Sequence, residues 1–199
     1  MRRVILIGDS IRIGYQDVVR QQLGGIAEVW SPEESCGDSS NVLKHLEEWV
    51  ISRLPDVIHI NCGLHDLKRE FGASETAVPI RLYEENVRHI LGRLKSKTSA
   101  DIIWASTTPV NESLHHRNKE FDRFEADVLS YNRIANQVAR DLQVPINDLF
   151  SLMDGAGPEN YLQDDGVHFT VEGYLLLGKE VADSIKTRLL TQSLRFREA

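Results

Sequence analysis

The sequence has few of the residues that would place it in several specialised classes of protein. Only two cysteines, Cys36 and Cys62, occur among 199 residues, too few for a disulfide framework or a thiolate metal cluster. No apolar run approaches the roughly 18 residues of a membrane span. The apolar segment near the start, Val4–Ile7, is too short for the core of a signal peptide. We therefore expect reduced thiols, a cytoplasmic location and no membrane partner.

Basic residues are in the minority. Lysine and arginine number 23 against 30 aspartates and glutamates, which gives a net charge of −7. Because binding to a phosphate backbone depends on clustered Lys and Arg, this balance argues against a nucleic-acid partner. Apolar residues make up 41% and charged residues 27%, as in ordinary globular proteins. Length and the absence of a linker predict a single domain over residues 1–199.

Short apolar runs alternate with longer segments of helical periodicity. Five runs are rich in Val and Ile and continuously apolar, as expected of strands buried on both faces: Arg3–Ile7, Ala27–Trp30, Asp56–Ile60, Asp101–Ala105 and Val144–Ile146. Helical patterns occupy Gln16–Leu23, Val42–Val50, Tyr83–Leu94, Phe124–Leu142 and Tyr174–Ile185. This alternation predicts a flavodoxin-like, three-layer α/β/α sandwich with about five parallel strands.

Small and polar residues follow each predicted strand, at the edge where ligands bind in such sheets. Gly8-Asp9-Ser10 follows the first run, and the segment from Ser35 to Asn41, with Gly37, follows the second. Gly63-Leu64-His65-Asp66 follows the third. Asp165-Gly166-Val167-His168 comes after the fifth, just before the last helix.

This set of motifs resembles the SGNH hydrolases, also called GDSL esterases and lipases, in the order of that family and along the whole chain. Gly8-Asp9-Ser10 corresponds to the first family block and Asp165-x-x-His168 to the last. Gly37 is the best match to the glycine of the second block. The third block is normally Gly-x-Asn-Asp, so His65 stands where the family has asparagine. The resemblance implies the SGNH fold and an ester hydrolase that needs no cofactor or metal.

The residue types also suggest a catalytic triad on chemical grounds. A serine hydroxyl such as that of Ser10 becomes a useful nucleophile when a base takes its proton, and an imidazole such as His168 titrates near neutrality. Asp165, three residues before His168, can hold the imidazole in one tautomer and stabilise its cation. Asp164 is a competing orienter on spacing, and the family pattern favours Asp165.

Three groups are candidates for an oxyanion hole: the main-chain N–H groups of Ser10 and Gly37 and the side chain of His65. An imidazole donates an N–H when neutral and a stronger one when charged, so His65 can replace the family's asparagine with a titratable donor. The alternative is that His65 is only a polar loop residue. A metal site made of Asp9, His65, Asp66 and His168 lacks a ligand motif, and Asp9 and Asp66 are better explained as acceptors that tie loops together.

Two long connections, Lys68–Ile80 and Asn111–Glu120, lie on the predicted working edge, and His115-His116 is expected in a solvated loop. Because both segments are polar, they favour a small-molecule ester with a short acyl group on a polar alcohol, such as an acetylated sugar. The sequence leaves open an acyltransferase with the same triad and a non-catalytic binding module. A nucleotide-binding domain is disfavoured because no phosphate-binding glycine loop is present. The sequence does not indicate an oligomeric state.

Overall fold

The computed structural model of the protein describes residues 1–198, with side chains to residue 191. Its main sheet has five parallel strands: β1 (Arg2–Ile7), β2 (Ala27–Trp30), β3 (Val57–Ile60), β5 (Asp101–Ala105) and β7 (Ile146–Asn147). Across the sheet they lie in the order β2-β1-β3-β5-β7. The five parallel strands predicted from the apolar runs are therefore confirmed.

Helices cover both faces of this sheet. They are α1 (Ser10–Gln22), α2 (Ser39–Trp49), α3 (Ile80–Lys97), α4 (Glu112–Asn118), α5 (Glu125–Asp141), α6 (Leu149–Ala156) and α7 (Val171–Glu198). Helix α1 packs against α7, while α3 packs against α2 and α5. Two single 3₁₀ turns occur at Ile51–Arg53 and Pro158–Asn160. The result is the three-layer α/β/α sandwich that the sequence pattern predicts.

The central strands are buried on both faces. Every residue of β3 is buried, and so are the last four residues of β1 and of β5. Ile5 lies opposite Ile58, which in turn lies opposite Ile102, so branched side chains form a continuous row across the sheet. Such continuous burial is the reason that these strands are apolar at every position rather than at alternate ones.

Helix α1 begins earlier than its periodicity indicates, at Ser10 rather than near Gln16. The side chain of Asp9 accepts a hydrogen bond from the main-chain N–H of Ile11 and so caps the helix at its start. This cap places Ser10 at the first position of the helix, directly beyond the end of β1.

The connection Asn111–Glu120 is not a solvated loop. It contains α4, which is capped at its start by the side chain of Asn111. After it, β6 (Phe121–Asp122) pairs in antiparallel fashion with β4 (Arg69–Glu70) from the other long connection. The expectation for His115 is wrong, since its side chain is fully buried. Among the helices of residues 1–198, none has both the length and the apolar character that crossing a membrane requires.

Candidate active site

Ser10, His168 and Asp165 form a hydrogen-bonded chain. The Oγ atom of Ser10 lies 2.8 Å from Nε2 of His168. On the other side of the imidazole, Nδ1 lies 2.5 Å from Oδ2 of Asp165. The structure thus brings together the three residues that the sequence singles out as nucleophile, base and orienting carboxylate.

The loop before α7 is folded so that Asp165 reaches back to His168. Its other carboxylate oxygen, Oδ1, accepts hydrogen bonds from the main-chain N–H groups of Val167 and His168, over 3.1 and 2.9 Å. Gly166 between them has a φ of +70°, a conformation that favours glycine. The carboxylate of Asp164, the competing orienter, is exposed and makes none of these contacts.

The charge state of Asp165 suits an orienting role. Burial raises the pKa of Asp165, but hydrogen bonds from the side chain and main chain of His168, from Lys119 and from Val167 outweigh it and hold the pKa well below its usual range. The carboxylate is therefore ionised at any ordinary pH. An ionised carboxylate on Nδ1 leaves Nε2 to accept the proton of the serine hydroxyl.

Gly37 lies in the loop between β2 and α2, beside the end of β1. The N–H of Cys36 donates to the carbonyl of Gly8 over 3.1 Å and ties this loop to the turn that carries Ser10. The buried guanidinium of Arg12 also holds the loop, through the carbonyls of Pro32 and Glu34. Gly37 has a φ of +68°. Its N–H makes a long contact of 3.3 Å with Oγ of Ser35, which a substrate oxyanion can replace.

His65 is half-buried in the turn that follows β3. Burial lowers its pKa; the charge of Asp9 opposes this effect, and that of Arg123 adds to it. The net lowering favours the neutral imidazole at neutral pH, which still carries one N–H donor. The turn is anchored on both sides of His65, since Arg123 donates to the carbonyl of Leu64 and Asp66 accepts from Ser39.

Asp66 is an acceptor that ties two loops together, as expected, whereas Asp9 accepts a main-chain N–H only within its own turn. Asp9 caps α1, and both carboxylate oxygens of Asp66 accept from the main-chain N–H of Ser39. The Ser39 hydroxyl donates to the same carboxylate. Among the side chains of residues 1–191, no three His, Cys, Asp or Glu residues form a group suited to a metal ion.

Three further residues lie near the site although the sequence did not predict them there: His115, Lys119 and Arg123. The ammonium group of Lys119 lies 2.9 Å from Oδ2 of Asp165. Nη1 of Arg123 lies 3.1 Å from Nε2 of His115, and because a guanidinium only donates, this nitrogen accepts. All three belong to polar segments that look solvated in the sequence, so no local signal marks them.

The sequence pattern of the GDSL-like Lipase/Acylhydrolase family matches residues 6–176, most of the chain. The chain belongs to this family. It is therefore an enzyme that hydrolyses ester bonds, as the resemblance of its motifs to the SGNH hydrolases predicts. A comparison with curated proteins finds no sequence that matches.

Solved structures of hydrolases have the same fold as this GDSL-like hydrolase. The lipase/acylhydrolase from Enterococcus faecalis has a TM-score of 0.80 and 23% identity, over 94% of this chain and 97% of that one. Axe2, an acetylxylan esterase from Geobacillus stearothermophilus, has a TM-score of 0.75 and 20% identity, over 92% and 94% of the two chains. The acetyl xylan esterase AlAXEase has a TM-score of 0.73 and 20% identity, over 92% and 99%.

Proposed function

We propose that the protein is a serine esterase in which Ser10 is the nucleophile, His168 the base and Asp165 the residue that orients His168. The observation that carries this proposal is the continuous chain from the Ser10 hydroxyl through the imidazole to the Asp165 carboxylate, with steps of 2.8 and 2.5 Å. A separation near 3 Å is what proton transfer from nucleophile to base requires.

The reaction then runs through an acyl-enzyme. Oγ of Ser10 attacks the ester carbonyl carbon while its proton passes to Nε2 of His168. The oxyanion of the tetrahedral intermediate accepts from the N–H groups of Ser10 and Gly37 and from the His65 ring. His168 returns its proton to the departing alcohol oxygen, which leaves the acyl group on Ser10. Water, deprotonated by His168, attacks the acyl-enzyme, and the carboxylic acid is released as Ser10 recovers its proton.

We further propose that the substrate carries a short acyl group, such as acetate, on a polar alcohol such as a sugar. The interior cavity bounded by Ile11 and Leu64, neighbours of Ser10 and His65, has a volume of about 10 Å³. That volume is close to one water molecule and none of the proposed catalytic residues lines the cavity, so a long acyl chain would have to lie outside it. The acetyl xylan esterases among the proteins of similar fold act on acetylated carbohydrate, which supports the same class.

Hydrolysis of p-nitrophenyl acetate, butyrate and octanoate by the wild type and by Ser10→Ala tests the proposal. We expect p-nitrophenyl acetate to be the best of the three substrates and Ser10→Ala to hydrolyse none of them. The wild type should also release acetate from an acetylated xylo-oligosaccharide. Mass spectrometry of the quenched reaction should find the acyl group on Ser10. A Ser10→Ala protein that hydrolyses as the wild type does would overturn the proposed nucleophile, and a preference for octanoate would overturn the short-acyl assignment.

A further inference from the structure

Lys119 contacts the oxygen of Asp165 that also faces the imidazole. Its Nζ atom lies 2.9 Å from Oδ2, and Nδ1 of His168 lies 2.5 Å from that same oxygen. The side chains of Lys119 and Asp165 are only 29% and 20% exposed, so water screens this ion pair less than one on the open surface. A triad of nucleophile, base and carboxylate does not itself require such a cation.

The position of Lys119 is fixed by the packing of α4 against the loop that carries Asp165. At the start of the helix, the N–H of Asn111 donates to the carbonyl of Gly166 over 2.8 Å. At its end, the side chain of Asn118 donates to the carbonyl of Asp164 over 2.7 Å. A Cβ atom at Gly166 would meet the Asn111 carbonyl at 2.5 Å, so glycine is needed for this approach. Lys119 comes directly after α4, so this packing places its ammonium group beside the carboxylate.

We propose that Lys119 is a positioning residue that sets the basicity of His168 by binding the Asp165 oxygen shared with the imidazole. This inference rests on the proposed function, in which His168 is the base. The ammonium charge draws part of the carboxylate's negative charge away from the imidazole and repels an imidazolium directly. The ion pair therefore makes His168 a weaker base than Asp165 alone would, and we expect the enzyme to work further into the acid range.

Other charged or titratable groups belong to the elements that meet at the proposed active site: Asp9 before α1, His65 after β3, His115 in α4, Arg123 after β6, Asp164 in the loop and Tyr174 in α7. Of these, His115, Arg123 and Tyr174 interact electrostatically with Asp165. Burial and the charges of Arg123 and Lys119 lower the pKa of His115 to about 4, and burial raises that of Tyr174 to about 12. Both are thus uncharged near neutral pH. Arg123 is committed to Leu64 and His115, which leaves Lys119 as the described cation in contact with the triad carboxylate.

The test compares four variants with the wild type. Lys119→Met removes the charge, Lys119→Gln removes the charge but keeps a hydrogen-bond donor, and Lys119→Arg keeps the charge. Lys186→Met is the matched control, because Lys186 is also 29% exposed but pairs with Asp183 on α7. The readouts are the pH profile of kcat/KM with p-nitrophenyl acetate and an NMR titration of the His168 ring, which does not depend on activity. Thermal unfolding identifies any variant that fails to fold.

We expect the acid limb of kcat/KM and the midpoint of the His168 titration to move up together, by about 0.5–1.5 pH units, in Lys119→Met and Lys119→Gln. Lys119→Arg and Lys186→Met should superimpose on the wild type. Suppose that His168 titrates as in the wild type in every neutral variant that folds, while Ser10→Ala is inactive. The role of Lys119 is then wrong, and the proposed function stands. If Ser10→Ala keeps its activity, the proposed function fails, and the positioning role of Lys119 fails with it.

Discussion

The guanidinium of Arg123 donates its Nε–H to the main-chain carbonyl of Leu64 over 2.7 Å, in the interior and across 59 positions of sequence. The same side chain donates to His115, whose other ring nitrogen is buried without a hydrogen-bond partner among the described residues. One arginine thus connects α4 to the turn that carries His65. The segment between β5 and α5 therefore supports two parts of the proposed active site, through Lys119 on one side and Arg123 on the other.

Replacement of Arg123 by methionine should reduce both stability and activity. The carbonyl of Leu64 and Nε2 of His115 would lose their donor, which we expect to lower the free energy of unfolding by about 2–4 kcal/mol. Because the His65 turn would lose an anchor, kcat should fall more than KM rises. Urea denaturation and steady-state kinetics measure the two effects. Arg133, exposed on α5, supplies the control, and equal results for Arg123→Met and Arg133→Met would refute this account.

The neighbouring residues Asp164 and Asp165 should respond very differently to replacement by asparagine. Asp165→Asn removes the carboxylate that holds His168, and we expect kcat to fall about 10³–10⁴-fold, as in other serine triads. Asp164→Asn changes an exposed side chain and should stay within about twofold of the wild type. Rates measured on p-nitrophenyl acetate make the comparison. A severe loss in Asp164→Asn together with a mild one in Asp165→Asn would assign the orienting role to Asp164.

Substitutions of His65 should separate an oxyanion donor from a mere loop residue. His65→Ala removes the donor and should lower kcat about 10²-fold at every pH. His65→Asn restores a donor that does not titrate, so it should keep much of the activity. Since the pKa of His65 is lowered, its protonation occurs in the acid range, and only there should the profile of His65→Asn diverge from the wild type. Two variants that match the wild type at every pH would exclude the oxyanion role.

Asp66 should make the stability of the protein depend on pH. Burial raises the pKa of Asp66 to about 7, although hydrogen bonds from Ser39 oppose the rise. In the unfolded chain an aspartate titrates near 3.8. The folded protein therefore keeps a proton that the unfolded chain releases, so this contribution is full below the unfolded value and declines as pH rises towards 7.

Asp66→Asn cannot ionise and should lack that decline. Between about pH 4.5 and pH 7.5 we expect it to gain about 1–4 kcal/mol of unfolding free energy relative to the wild type, measured by urea denaturation. Asp17→Asn, at a carboxylate that is 85% exposed, serves as the control and should show no such gain. A constant difference between Asp66→Asn and the wild type across this range would mean that Asp66 is ionised throughout.

Local patterns in the sequence predicted the sheet, most of its helices and the family. Strands buried on both faces must be apolar at each position, so Val4–Ile7 and Asp101–Ala105 could be located without a structure. Asp165 and His168 contact each other across three positions, a spacing that a single turn closes. The resemblance to the SGNH family predicted that Ser10 would meet them across 158 positions, and the geometry agrees. The catalytic roles of these residues stay predictions.

The sequence by itself thus determined the chemistry available at the strand ends, because Ser10 and His65 lie in the segments that directly follow β1 and β3. Only the tertiary structure decided what surrounds them. A lysine or a histidine in a polar segment looks solvated until the segment folds, and α4 buries His115 and carries Lys119 to Asp165. Arg123, which directly follows β6, reaches Leu64 across 59 positions of sequence. Such contacts join segments that are distant in sequence and form only when whole helices and strands pack together. The spacing of residues within one segment does not predict them.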